Sequence, residues 1–144
     1  MQDLPHHYAV TAHGAAEGEV AVSARGLGKL RTAPPAAFGG PGDRWSPETL
    51  LVAAVADCFV LSFRAVARAS SFAWRNLDCS AEGVLDRVDG ALRFTELHLR
   101  ARLVVEEGAD EGRARRLLEK AEKGCLVSNS LLATKQLETQ IVKG

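Results

Sequence analysis

The segment from Leu50 to Phe63 is apolar on nearly every side of the helix it would form, and no other stretch constrains the fold so strongly. Ser46-Pro47 opens it, because a serine side chain can cap the first free N–H groups and proline fits the first helical position. The helix is expected to run on to about Ala69. The apolar part is only 14 residues, 50 to 63 inclusive, holds Asp57 and continues into Arg64 and Arg68. A bilayer span needs about 20 predominantly apolar residues, so a buried helix and not a membrane anchor is expected. With 144 residues, 47% of them hydrophobic, one domain over residues 1–144 can build only a small core. A helix apolar all round is then most easily buried by a second copy of the chain, which makes a homodimer the expected state. Small residues at Ala54, Ser62 and Ala65 would let two such helices approach closely.

Around this helix the hydrophobic period changes in an orderly way. Tyr8 to His13 and Glu19 to Arg25 alternate weakly across the turn chemistry of Gly14 to Gly18 and read as a hairpin, followed by an extended piece at Lys29 to Thr32. Residues Ala33 to Trp45 hold three prolines and three glycines, which precludes a regular element there. Leu77 to Leu85 and Ala91 to Val105 form a second hairpin turned at Asp89-Gly90. The apolar phase of its second strand switches from even to odd positions, which predicts a bulge near Thr95-Glu96. Asp110 to Lys123 is an amphipathic helix, Val127 to Ala133 a short helix, and Lys135 to Val142 a closing strand. Strands, helix, strands, helix, strand give an α+β fold with antiparallel sheets packed around the long central apolar helix.

Charge excludes some partners. Eighteen Lys+Arg balance eighteen Asp+Glu, so no field draws nucleic acid or an anionic membrane. No cysteine and histidine cluster has zinc spacing, and Gly39-Gly40-Pro41-Gly42 lacks the lysine of a phosphate loop; no metal and no cofactor are expected. The opening residues lack the basic and apolar regions of an export signal, and three widely spaced cysteines fit a reducing compartment, so a cytoplasmic protein is expected. Cys58 lies inside the apolar helix, and Cys125 follows the glycine that ends the charged helix. Two thiols allow a redox cycle, in which a sulfenic acid on one condenses with the other to a disulfide. Local electrostatics alone favour Cys125 as the better thiolate, because it starts a new helix. Cys79 sits in mid-strand without such a setting and is read as structural.

Trp45-Ser46-Pro47-Glu48-Thr49-Leu50-Leu51, then Ala53-Ala54-Val55-Ala56-Asp57-Cys58-Phe59, with Gly124-Cys125-Leu126-Val127-Ser128 far downstream, resembles the osmotically inducible and organic hydroperoxide resistance (OsmC/Ohr) family. The resemblance covers the chain from roughly Gly18 to its end. It implies an intertwined α+β homodimer with thiol-peroxidase sites at the subunit interface. It also implies that Cys58 is the cysteine that reacts with organic hydroperoxide, that Cys125 resolves the sulfenic acid, that Glu48 is a partner in the site, and that a dithiol such as dihydrolipoamide is the reductant. In the family an arginine from the segment before the central helix supports the reactive thiolate. Here the corresponding stretches read Ala12-His13-Gly14-Ala15 and Ala36-Ala37-Phe38, leaving Arg25, Arg31 and Arg44 as upstream candidates. Leu126 stands where the family commonly has proline.

Glu48 lies ten residues before Cys58, about 15 Å along one continuous helix, so it can serve only the other subunit's thiol. The simplest alternative role for Glu48 is a first-turn carboxylate favoured by the helix dipole. Pro34, Pro35, Phe38 and Trp45 would offer an apolar entrance to the site. Two functions are therefore expected: a cysteine peroxidase for organic hydroperoxides, or a non-catalytic dimer of the same fold that binds a small apolar ligand at its interface.

Overall fold

The computed structural model describes residues 1–144. The chain divides into two compact units, Met1–Leu50 and Leu51–Gly144, the border falling in the first turn of the central helix.

In the N-terminal unit β1 (Thr11–His13), β2 (Val20–Ser23) and β3 (Leu30–Thr32) form an antiparallel sheet in sequence order, with Thr11 opposite Ser23 and Val20 opposite Thr32. The following loop is less irregular than its prolines led us to expect, since Ala36–Phe38 form a 3-10 turn that ends at Gly39 with φ 83°. Gly40 is packed so closely on Pro34 that a Cβ there would lie 1.7 Å from the Pro34 carbonyl oxygen. Only glycine permits that fold-back. The helix α1 (Pro47–Ala69) then starts as its sequence requires. The Thr49 N–H donates to Ser46 Oγ at 3.1 Å, and the Ser46 N–H donates to Thr49 Oγ1 at 2.8 Å, a reciprocal cap with threonine in the place usually held by Glu or Gln.

The second unit carries β4 (Asn76–Val88), β5 (Ala91–Val105), α2 (Glu111–Lys123), α3 (Leu126–Asn129) and β6 (Thr134–Lys143), with strands in the order β4-β5-β6. Asp89 and Gly90, with φ 51° and 82°, both take the left-handed conformation that a two-residue hairpin turn needs. Val84 pairs with Glu96 and Leu85 with Phe94, so Thr95 is the extra residue of a bulge where the phase switch placed one. One pairing differs from expectation: β6 runs parallel to β5, from Glu96 opposite Thr134 to Val105 opposite Lys143. The two helices between them form a crossover, which returns the chain to the end of the sheet where β5 began. The short helix also differs, covering Leu126–Asn129 instead of Val127–Ala133. The Ser128 and Ser130 hydroxyls donate to the carbonyls of Cys125 and Leu126, the local bonding by which serine competes with helix continuation.

α1 has 23 residues and a mean hydropathy of 2.0 in its most apolar stretch, enough by length and composition to cross a membrane. One ridge of it is instead a core element. Val55, Phe59, Phe63 and Ala67, every fourth residue, are fully buried in one cluster with Leu97, Leu99 and Leu103 of β5 and Leu118 of α2. Phe63 meets the Trp74 ring edge-on, with centroids 5.3 Å apart. The helix thus has one row fixed by the sheet, and Cys58 stands one row over.

Candidate active site

Cys58 is half-buried because it flanks the buried ridge of α1 and does not belong to it. Four residues on, the same row carries Ser62, whose Oγ lies 3.9 Å from Cys58 Sγ. Asp57, adjacent in sequence, is exposed, as the turn of about 100° between consecutive helical residues requires.

Cys125 arrives from the crossover. α2 is started by Asp110, whose carboxylate accepts from the Arg113 N–H at 3.0 Å. It ends at Gly124, whose N–H reaches back to the Lys120 carbonyl. Cys125 is then the cap residue of α3, 1% exposed, and its carbonyl accepts from the Asn129 N–H at 3.0 Å.

The two thiols meet. Burial pushes the Cys58 thiol up, but donors around its sulfur outweigh this: the Val127 N–H, the Cys125 thiol, the Ser62 hydroxyl and the Leu126 N–H. The net result is a thiol held below its ordinary pKa. Cys125 goes the other way. Burial raises it, the Ser128 N–H and hydroxyl only partly offset this, and neighbouring Cys58 raises it further. The surroundings thus favour ionisation of Cys58 over Cys125, with the Cys125 thiol among the groups that lower Cys58. This reverses the expectation drawn from local electrostatics, because the amides at the start of α3 point at the sulfur from α1 and not at the cysteine that caps the helix. All three cysteines are free thiols. Cys79 is half-buried against the core from β4, and burial, with a smaller contribution from Cys125, pushes it up to about 11.

A pH series separates Cys58 from the other two thiols. Only a thiolate alkylates, so as pH rises iodoacetamide should label Cys58 before either Cys125 or Cys79, both of which are raised, in the native protein. Peptide mass spectrometry after timed quenching reads the order.

Of the upstream arginines, Arg44 and Arg31 both turn to Glu19, at 2.7 and 3.4 Å. The charge-assisted bond from Arg44 is the largest influence that lowers the Glu19 carboxyl. Trp45, expected at an apolar entrance, lies beside these charges and is half exposed. Glu48 occupies the first turn of α1, and in the N-terminal unit it lines a cavity of about 510 Å³ together with Ala12, Val20, Pro34, Pro35 and Phe38. Its Oε2 is enclosed by protein and has no hydrogen-bond partner. The structure therefore brings Cys58 and Cys125 together, whereas Glu48 stays ten residues up the helix within its own chain. Ser62 could have been read as a site residue from its spacing to Cys58. The Leu126 and Val127 amides could not, because nothing local links them to α1.

The pattern of OsmC-like proteins matches residues 40–140 of this sequence. The chain belongs to the OsmC-like family. It is 31% identical over 96 residues to peroxiredoxin OsmC of Escherichia coli (strain K12), which spans 67% of this chain and 66% of that protein. Over 109 residues it is 25% identical to the uncharacterized protein YmaD of Bacillus subtilis (strain 168), covering 74% of this chain and 73% of that one. Among solved structures, an organic hydroperoxide resistance protein OsmC from Legionella pneumophila superposes with a TM-score of 0.72 at 25% identity, covering 97% of this chain and 99% of that one. An OsmC-like protein from Vibrio cholerae reaches 0.83 at 17% identity, covering 96% and 100%, a likeness of fold. The OsmC-like relatives include hydroperoxide-resistance and redox proteins, and the α+β architecture of two sheets with a long helix is theirs.

Proposed function

We propose that the chain is a cysteine-based peroxidase for organic hydroperoxides. The Cys58 thiolate attacks the distal oxygen of ROOH, breaking the O–O bond, and the alkoxide leaves as ROH after taking a proton. Cys58 is then a sulfenic acid. Cys125 condenses with it, water leaves, and an external dithiol reduces the resulting disulfide by exchange. The observation that carries this reading is a Cys58 thiol held below its ordinary pKa, with the Cys125 thiol among the groups that lower it. The same neighbourhood sets attacking and resolving groups side by side before the reaction starts.

The test is single-turnover oxidation with cumene hydroperoxide followed by thiol counting. Wild-type protein should lose two thiols per chain within seconds. Cys125→Ser should still be oxidised but stop at a sulfenic or sulfinic acid on Cys58, detected as added oxygen by mass spectrometry. Turnover that survives Cys58→Ser would assign the attack to Cys125.

The working unit is a homodimer. Ala54, Leu61 and Ala65 are exposed on one apolar row of α1, and Cys58 lies in that row at spacings of four and three residues. A second α1 across this row would cover it and close the thiol pair from water. Glu48 then joins the site from the second chain. An interface above about 2,000 Å² in total is expected of such an obligate pair. Sedimentation as a monomer at micromolar concentration would remove both the dimer and the role of Glu48. The second reading, a non-catalytic dimer that binds a small apolar ligand, draws support from the apolar cavity beside Glu48. Thiols that outlast hours of hydroperoxide treatment would favour it.

A further inference from the structure

We propose that the external dithiol enters the cycle at Cys58, forming a mixed disulfide there, and that Ser128 receives the Cys125 sulfur as it departs. The proposal deepens the reductive half of the peroxidase reading and rests on that reading for the Cys58–Cys125 disulfide.

A disulfide offers two sulfurs to an incoming thiolate, and exchange runs in line, with the attacking, attacked and departing sulfurs on one axis. Leaving-group strength alone favours attack on Cys125, because Cys58 is lowered and Cys125 raised, and the lower thiol departs faster. Access favours the opposite course. Cys125 is 1% exposed, so protein occupies the side of its sulfur away from Cys58. Cys58 is only half-buried on the flank of α1, and the hydroperoxide has to reach that same sulfur in whatever assembly turns over. A thiolate can follow the same route. Access therefore decides, because a sulfur that cannot be approached in line does not react, however good its leaving group.

Cys125 then has to leave as a thiolate inside the core, which is costly unless donors meet it. Ser128 is placed for this. Its side chain is itself buried, at 2% exposed, and its hydroxyl donates to the Cys125 carbonyl at 3.3 Å. Its N–H and its hydroxyl are both among the groups that lower the Cys125 thiol. The first thiolate of the dithiol bonds to Cys58 Sγ as the Cys58–Cys125 bond breaks, and Cys125 keeps the electron pair and then takes a proton. The second thiolate attacks the reductant's own first sulfur, the bond to Cys58 breaks, and a cyclic disulfide departs. Two electrons have passed from the dithiol to the protein.

Full-length protein oxidised with diamide supplies the disulfide without hydroperoxide. An excess of 2-mercaptoethanol, a monothiol that cannot close a ring, is added, the mixture is quenched in acid, and peptide mass spectrometry locates the adduct. It should lie on Cys58, with Cys125 free. An adduct on Cys125 would overturn the proposal. Ser128→Ala should slow reduction of the disulfide by dithiothreitol about tenfold relative to single-turnover oxidation by cumene hydroperoxide, the scale of one lost hydrogen bond to a charged group. Ser128→Thr, which keeps the hydroxyl, should restore most of that ratio. Equal slowing of both half-reactions by Ser128→Ala would leave Ser128 a structural role only and overturn its part. A disulfide formed by diamide but not by hydroperoxide would sink the peroxidase reading alone, with the position of the adduct still deciding this one. Failure of diamide to join Cys58 to Cys125 would overturn the proposal outright.

Discussion

Cys58→Ser is expected to lower hydroperoxide turnover by about a thousandfold or more, the scale on which removal of an essential nucleophile acts. The oxygen of serine has the same place on α1 and can keep the contact to Ser62, so the helix should fold as before. What disappears is a thiol held below its ordinary pKa. The donors gathered at this sulfur, from Val127, Cys125, Ser62 and Leu126, stabilise a thiolate, and a hydroxyl cannot deliver the corresponding charge. Cys125 would remain, but burial, the largest influence on it, still raises its thiol. Steady-state consumption of cumene hydroperoxide with a dithiol reductant measures the effect. Loss of less than tenfold would show that the attacking sulfur lies elsewhere.

Phe59→Ala should produce the largest loss of stability, about 3–5 kcal/mol on the scale of aromatic truncations in cores. Phe59 is fully buried in the middle of the ridge that α1 sets against the sheet, between Val55 and Phe63. Its removal leaves a void lined by side chains of β5 and α2 that are themselves packed and cannot all move in. Against a typical total of about 5–15 kcal/mol, that brings the protein near its unfolding threshold. Urea unfolding with the midpoint read by circular dichroism checks it. A shift of less than about 1 kcal/mol would mean that α1 is held mainly from its other faces, as by a second chain.

Much of the fold is legible in the residues themselves. Ser46-Pro47 marks the start of α1, Asp89-Gly90 the hairpin turn, and the switch of apolar phase in β5 the bulge at Thr95, because each rests on a local rule that nothing distant overrides. The parallel pairing of β6 is not legible in this way. Its alternating Leu137, Thr139 and Ile141 fit either direction, and only the path of the crossover decides between them. The thiol pair divides along the same line. The two cysteines stand out in the sequence, but which one is the better thiolate depends on amides that lie 68 and 69 positions away from Cys58 and become its neighbours only in the folded chain.

At Leu126 an anion's support is built out of the main chain. Proline at that position would have no N–H to offer, whereas leucine supplies one that reaches the Cys58 sulfur. An arginine placed for the same purpose acts through a mobile, hydrated charge whose field dissolved salt weakens. A peptide dipole fixed at the start of a folded segment carries no net charge to be screened. It also survives every side-chain replacement at residue 126 except one. The reactivity of this thiol should accordingly stay level as ionic strength climbs.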